Sequence, residues 1–377
     1  MERETFMTGE RFKTRDFGNV FRLIYSEKQC TRQQISAKLG ISLPTVTHNL
    51  NLLEESGLIY NAGAQQATGG RKAHMFQCIA NARLALGIDI TRHHLSLVLI
   101  NMNLDILCKK RFRCTFEDSH AYFENLRNEI EQLLSESQTD PGKLLGIGIS
   151  MPVIINRDQK SISYATVINL SGNIYERMAS HIPYPFLLFN DANSAGLAES
   201  WFSDSSETIT YLFLGSSVGG AYMTGRQIQN GANRRAGEFG HMCIVPGGAP
   251  CYCGQKGCLD AYCSAKVLSD FTDENLGVFF EELKKGENPG YIKIFNQYMD
   301  HLAIAVKNLR MCYDSDIVLG GSVGPYMADY IEEFRKKVSS LNPFEQNGDY
   351  VRVCHYQTEA AAVGAAIYYI NEFIEDL

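Results

Sequence analysis

The chain has 377 residues, 45% of them hydrophobic and 20% charged, with 19 Tyr and 20 Phe. That is apolar material for two or three packed domains, and it excludes disorder, fibrous repeats and, since no apolar run is long enough, a transmembrane helix. The net charge of −7 is uneven, because residues 1–83 carry 11 basic against 7 acidic side chains and the remainder 24 against 35; a basic module on an acidic body suits nucleic-acid binding by the first part.

Three short helices are predicted first. Phe17, Val20, Phe21 and Ile24 recur at helical spacing over Arg15–Ser26. Thr31 is a good N-cap for RQQISAKL, which buries Ile35 and Leu39 and stops at Gly40. Ser42 caps a third helix that tolerates Pro44 in its first turn and turns Val46, Leu50 and Leu53 inward. Its other face carries Thr45, Thr47, His48 and Asn51, side chains able to reach base edges in a major groove. After Gly57, strands over Leu58–Tyr60 and His74–Cys78 flank a tip of Gly69, Gly70, Arg71 and Lys72, a basic wing suited to phosphates or a minor groove. The run LGISLPTVTHNLNLLEESGLI resembles the winged helix-turn-helix of bacterial transcription regulators, with Ser42 among its DNA-facing positions.

From Leu84 onward, strands and helices alternate, which indicates an α/β body. Strands are predicted at LALGIDIT, HLSLVLINM, DILCKKRFRC, 144–151, 186–190, TITYLFLG, SVGGAYM, 316–321 and VRVC. Helices are predicted at about 119–135, 191–202, 265–284 and 290–312, and at EAAAVGAAIYYINEFI. Nearly 300 residues suit two lobes with a cleft between them. The domains read as 1–83, 84–190 with the final helix 355–377 packing back, and 191–354.

Eleven cysteines, an odd count beside a polar N-terminus without a signal peptide, point to reduced thiols and a cytoplasmic protein. Four of the polar positions form the sharpest motif. His241 precedes Cys251, Cys253 and Cys258 in HMCIVPGGAPCYCGQKGC, a donor set typical of structural zinc. Cys243 and Cys263 read as spectators. Asn190-Asp191 stands where a buried strand opens a helix, a place for holding a polyol or accepting a hydroxyl proton, or simply for an N-cap. Glu238 and His241, three apart in AGEFGHM, share a face that suits adjacent hydroxyls. The turn at Asp89–Thr91 and the glycine-bearing turns Gly215–Gly220 and Gly320–Gly324 follow strands and are each placed to approach a phosphate.

AGEFGHM, CYCGQKGCLDAYCS and FNDANSAGLAE together resemble the ROK family of repressors and sugar kinases, from about Leu84 to the end of the sequence. The resemblance implies two actin-like, hexokinase-like lobes behind the winged module. It implies sugar contacts from Asn190, Asp191, Glu238 and His241, the last using one ring nitrogen while the other ligates zinc. It implies a sugar contact from Asp260 too, which stands where the family has Glu after the last of the clustered cysteines, with a shorter reach. In kinase members the residue at Asp191 is the general base. The phosphate loops depart from the family pattern: the first reads Asp89-Ile90-Thr91-Arg92-His93 in place of D-x-G-G-T, the second reads GSSVGGA, and the third, GGSVG, is nearly intact. Side chains in place of glycines obstruct a triphosphate, so ATP is not an expected cofactor. The expected function is a sugar-responsive repressor of carbohydrate-utilisation genes that binds operator DNA as a homodimer or tetramer, away from membranes. The alternative is an ATP-dependent sugar kinase with Asp191 as base, and a scaffold with neither activity is a third reading.

Overall fold

The computed structural model describes residues 15–64, 74–165, 167–170, 172–203 and 207–377. Helices α1 (Arg15–Glu27), α2 (Arg32–Leu39) and α3 (Leu43–Glu55) pack around Val20, Phe21, Ile24, Ile35, Val46, Leu50 and Leu53, all fully buried. Thr31 and Gln34 close a reciprocal box at the start of α2, and left-handed Gly40 ends it. Strand β1 (Cys30–Thr31) pairs with β3 (His74–Cys78), which pairs with β2 (Ile59–Ala64), giving a three-stranded wing sheet. The wing tip with Arg71 and Lys72 lies outside the described residues.

The body repeats one plan twice. In the first sheet, β4 (Leu84–Ile90), β5 (His94–Asn101) and β6 (Ile106–Arg113) form an antiparallel meander, and after α4 (His120–Glu136) strand β7 (Leu144–Met151) lies parallel to β4. A small hairpin of β8 (Val153–Ile155) and β9 (Ile162–Ala165), then α5 (Ile174–Ala179), leads to β10 (Phe186–Asn190) beside β7. Helix α6 (Asp191–Ser200) crosses to the second sheet. There β11 (Thr208–Leu214), β12 (Val218–Thr224) and β13 (Gln227–Ile228) are antiparallel. After α7 (Asp260–Cys263), α8 (Ala265–Ser269), α9 (Leu276–Lys285) and α10 (Pro289–Tyr313), β14 (Asp316–Gly320) joins parallel to β11. Helix α11 (Ile331–Leu341) and β15 (Val351–Val353) complete that sheet. Strand orders are β10-β7-β4-β5-β6 and β13-β12-β11-β14-β15. This is the two-lobed α/β body the sequence implied.

The last helix, α12 (Ala360–Asp376), lies on β4, β5 and β7 and against α6, while α6 packs on β11 and β12. The run AAAVGAA makes this fit possible: a Cβ on Gly364 would run into the Ser194 backbone. The two helices thereby bridge the sheets, and the cleft opens at their edge.

Several elements differ from the sequence reading, among them the short α5, β1 and β13, which it did not include. The helix predicted over 265–284 is broken, because Asp273 and Glu274 turn left-handed (φ 47° and 63°) after a 3-10 turn, and Asn275 starts α9 by accepting from the Val278 N–H. The β8–β9 hairpin has no counterpart among the predicted strands. Among the described residues no helix is long and apolar enough to cross a membrane.

Candidate functional site

A cleft of about 520 Å³ lies between the lobes. Its floor is the junction of β10 and α6. Asn190 is the cap of α6: its Oδ1 accepts from the Asn193 N–H at 2.9 Å, and its Nδ2 donates to the Val153 carbonyl at 3.1 Å. That leaves Asp191, the first helical residue, to face the cleft while its Oδ1 accepts from the Ala192 N–H at 2.8 Å. Burial, then the neighbouring Asp89 carboxyl, pushes the Asp191 carboxyl up to about 7. Asp89, buried at the end of β4, is itself raised to about 6 by burial. Two desolvated acids side by side disfavour a double negative charge.

Glu238 and His241 enter from the opposite lobe. Their three-residue spacing is one 3-10 turn, Phe239–His241, with Glu238 as its first flanking residue. Both line the cleft, and burial raises the Glu238 carboxyl. The two His241 nitrogens face different groups. Nδ1 lies 3.8 Å from the Cys251 Sγ, and Nε2 lies 3.3 Å from the Tyr252 hydroxyl, on the cleft side.

The ligating atoms of His241, Cys251, Cys253 and Cys258 all stand within 4.8 Å of one another, a cluster able to hold a metal ion. Cys251 and Cys258 are buried and Cys253 is half-buried. Cys263 is buried beneath the Tyr298 carbonyl, and Cys243 faces the Lys256 carbonyl; neither joins the cluster.

Asp260 is placed differently from the other polar candidates. It is 7% exposed and does not line the cleft. Its Oδ2 accepts from the Val218 N–H at 2.6 Å, tying α7 to the turn at 215–218. The three candidate phosphate turns also have structural duties. In the Thr91–His94 turn, the Thr91 N–H donates to the His94 carbonyl at 3.0 Å and the His94 N–H donates to Thr91 Oγ1 at 2.9 Å. Neither this turn nor residues 320–324 line the cleft, whereas Ser217–Gly220 do. A Cβ on Gly320 would run into the Tyr211 hydroxyl, so packing alone demands that glycine.

On α3, the Ser42 hydroxyl caps the helix by accepting from the Thr45 N–H and lies 2.8 Å from the Thr45 hydroxyl. His48 and Asn51 are exposed and Thr47 is half-buried. These three therefore stand on the outer face with hydrogen-bonding groups turned away from the core.

Sequence reasoning missed several cleft residues. Tyr252 was hidden in plain view between two cysteines. Arg157 and Tyr164 sit on the unpredicted hairpin, Arg226 stacks over Trp201 at 3.8 Å, and Asn371 projects from α12. Tyr252 apart, none of them belongs to a recognisable motif.

Residues 85–372 match the ROK family, and residues 19–60 match a winged helix-turn-helix DNA-binding family. The chain is 23% identical over 364 residues to the xylose repressor of Bacillus spizizenii, spanning 93% of this chain and 94% of that protein. It is 26% identical over 267 residues to a glucokinase of Halalkalibacterium halodurans, spanning 69% and 78%. A crystal structure of a ROK family transcriptional regulator, a homologue of the E. coli MLC protein, superposes with a TM-score of 0.74 at 20% identity over 96% of both chains.

Proposed function

The chain belongs to the ROK family and carries a winged helix-turn-helix at its N-terminus, and from that premise we propose that it is a transcriptional regulator whose DNA affinity is set by a sugar in the interlobe cleft. The observation that carries this reading is the joining of the winged module, through its first helix α1, to a polar, acid-floored cleft by one shared helix, α12. Asn190, Asp191, Glu238 and His241 hold the hydroxyls of the effector, the carboxylates accepting and the amide donating. Asp260 acts behind them by holding the 215–218 turn. Ser42 and Thr45 shape the start of α3, Thr47, His48 and Asn51 read bases, and Arg71 and Lys72 reach the backbone or minor groove. A homodimer or tetramer presents two such helices to two half-sites. Carbohydrate-utilisation genes are the proposed targets, with repression the proposed direction, in keeping with the similar xylose repressor.

The cluster suits zinc. Ligands about 2.3 Å from a tetrahedral centre stand roughly 3.8 Å apart, and the Cys251 Sγ–His241 Nδ1 and Cys253 Sγ–Cys258 Sγ separations are both 3.8 Å. The ion would fix the His241 ring with Nε2 toward the cleft. Its part is structural.

The second reading, a sugar kinase, is favoured by the raised carboxyl of Asp191, a base for a hydroxyl proton. Against it stand the side chains that replace glycines in the Thr91–His94 turn, and the engagement of its Thr91 and His94 N–H groups with acceptors inside the turn. The deciding experiment is fluorescence anisotropy on the promoter flanking the gene, with and without a sugar panel, alongside a coupled ADP-release assay. Selective, salt-sensitive DNA binding that a sugar weakens supports the regulator. Steady turnover abolished by Asp191→Ala, without DNA binding, overturns it.

A further inference from the structure

The cleft is larger than its four hydroxyl-binding residues require, and little of the extra room is walled by the turns able to approach a phosphate, since only Ser217–Gly220 among them line it. Instead it is walled by the β8–β9 hairpin. Tyr164 sits there opposite Ile154, one residue from Val153, whose carbonyl holds Asn190. The residue is 51% exposed, and among the described residues neither its ring nor its hydroxyl has a partner. An exposed, unpartnered aromatic side chain at the mouth of a polar cleft presents a flat apolar face with a polar tip.

The hairpin that carries it is well braced. Asp158 Oδ1 accepts from the Lys160 and Ser161 N–H groups at 3.0 and 2.9 Å, and Asn156 Nδ2 donates to Ser161 Oγ at 2.9 Å. The Leu188 N–H donates to the Gln159 carbonyl at 2.9 Å, which fastens the tip to β10. Lys160 lies 5.3 Å over the Tyr175 ring. Arg157 and Gln159 extend the same wall with polar groups.

Resting on the effector reading above, we propose that the ligand is a glycan of at least two units. The first unit is held by Asn190, Asp191, Glu238 and His241. The second stacks a C–H face on Tyr164 and hydrogen-bonds to Arg157 and Gln159. A pyranose ring has a face of axial C–H groups that fits an aromatic plane, and a rigid tyrosine supplies such contact with little loss of side-chain freedom. The hairpin therefore selects for chain length, and the floor selects for hydroxyl pattern.

The test is calorimetric titration of the full-length, metal-loaded chain with paired probes: xylose and xylobiose, glucose and cellobiose, N-acetylglucosamine and chitobiose. In at least one pair the dimer is expected to bind about tenfold more tightly than its monomer, a difference of about 1.4 kcal/mol. Tyr164→Ala is expected to erase that gap and leave the monomer's affinity unchanged, and Tyr164→Phe to keep most of it. Equal affinities within every pair, or an equal loss for monomer and dimer in Tyr164→Ala, overturns the proposal while leaving the effector reading in place. A wild-type chain that binds no sugar of either size overturns both.

Discussion

Arg22 on α1 reaches the last turn of α12, where its Nη1 donates to the Ile374 carbonyl at 3.1 Å, and to that of Glu375 at 3.2 Å. Carbonyls at a helix C-terminus lack partners within the helix, and the negative end of its dipole favours a cation. Tyr25 on the same helix donates to the Met102 carbonyl at 2.8 Å. One and two turns earlier, α12 lines the cleft with Asn371 and Tyr368. A ligand that moves α12 thus moves the reading head.

Arg22→Ala is expected to uncouple the two. Basal DNA affinity should stay within a few-fold, because Arg22 is remote from α3's outer face. The sugar-induced loss of affinity should shrink by roughly the 1.5–3 kcal/mol that a charged hydrogen-bond donor contributes, or less given its partial exposure. Anisotropy titrations with and without sugar measure this, and an unaltered sugar response would contradict it.

Cys253→Ser tests the metal. Cys253 is half-buried and the substitution is small, so the change acts through the donor set. Mass spectrometry of the wild type should find about one zinc per chain, and the variant much less. A lower Tm and weaker sugar binding should accompany the loss, because the His241 ring is no longer fixed. Wild-type protein purified without chelator and free of metal would exclude the site.

Asp191 should make stability depend on pH. Its carboxyl rises from 3.8 to about 7 on folding. Between those values the folded chain holds a proton that the unfolded chain releases, so the contribution of this carboxyl to stability is most favourable below pH 4 and is lost as pH climbs through 7. Asp191→Asn keeps the acceptor for the Ala192 N–H and removes the charge. It should match the wild type in Tm at pH 4 and exceed it by several degrees at pH 8, the stabilisation being at most roughly 4 kcal/mol. Asp89, raised to about 6, leaves a residual slope. Parallel Tm–pH curves for the two proteins would refute the assignment.

On α3, Asn51→Ala and His48→Ala should each weaken specific binding by roughly 1–3 kcal/mol and leave non-specific binding almost untouched. Ser42→Ala should instead lower Tm, since its hydroxyl is a cap, with a loss of about 1 kcal/mol. Competition with unrelated duplex DNA separates the two outcomes.

The winged module was legible because its signals are local. Thr31, Gly40 and Ser42 punctuate the chain, and the apolar residues between them keep one period. The cysteine loop was legible for the same reason. The β8–β9 hairpin was not: its strands have three and four residues, too short to show a period, and their pairing is held by Asp158 and by Leu188 of β10. The break at Asp273–Glu274 was equally hidden, because neither residue is a glycine and the left-handed turn is set by Asn275 and Thr272. The family resemblance made Asp260, two residues after Cys258, a sugar-contacting candidate, and only the structure shows its carboxylate on the Val218 N–H.

The Tyr211 hydroxyl wedged beneath Gly320 has a consequence for reading ancestry from loops. A phosphate turn can keep its glycines after the phosphate is gone, because any larger residue there would prise β11 from β14. Intact glycines in such a turn therefore testify to how tightly two strands are seated, and a surviving capacity for phosphoryl transfer has to be sought in amides that still lack an acceptor.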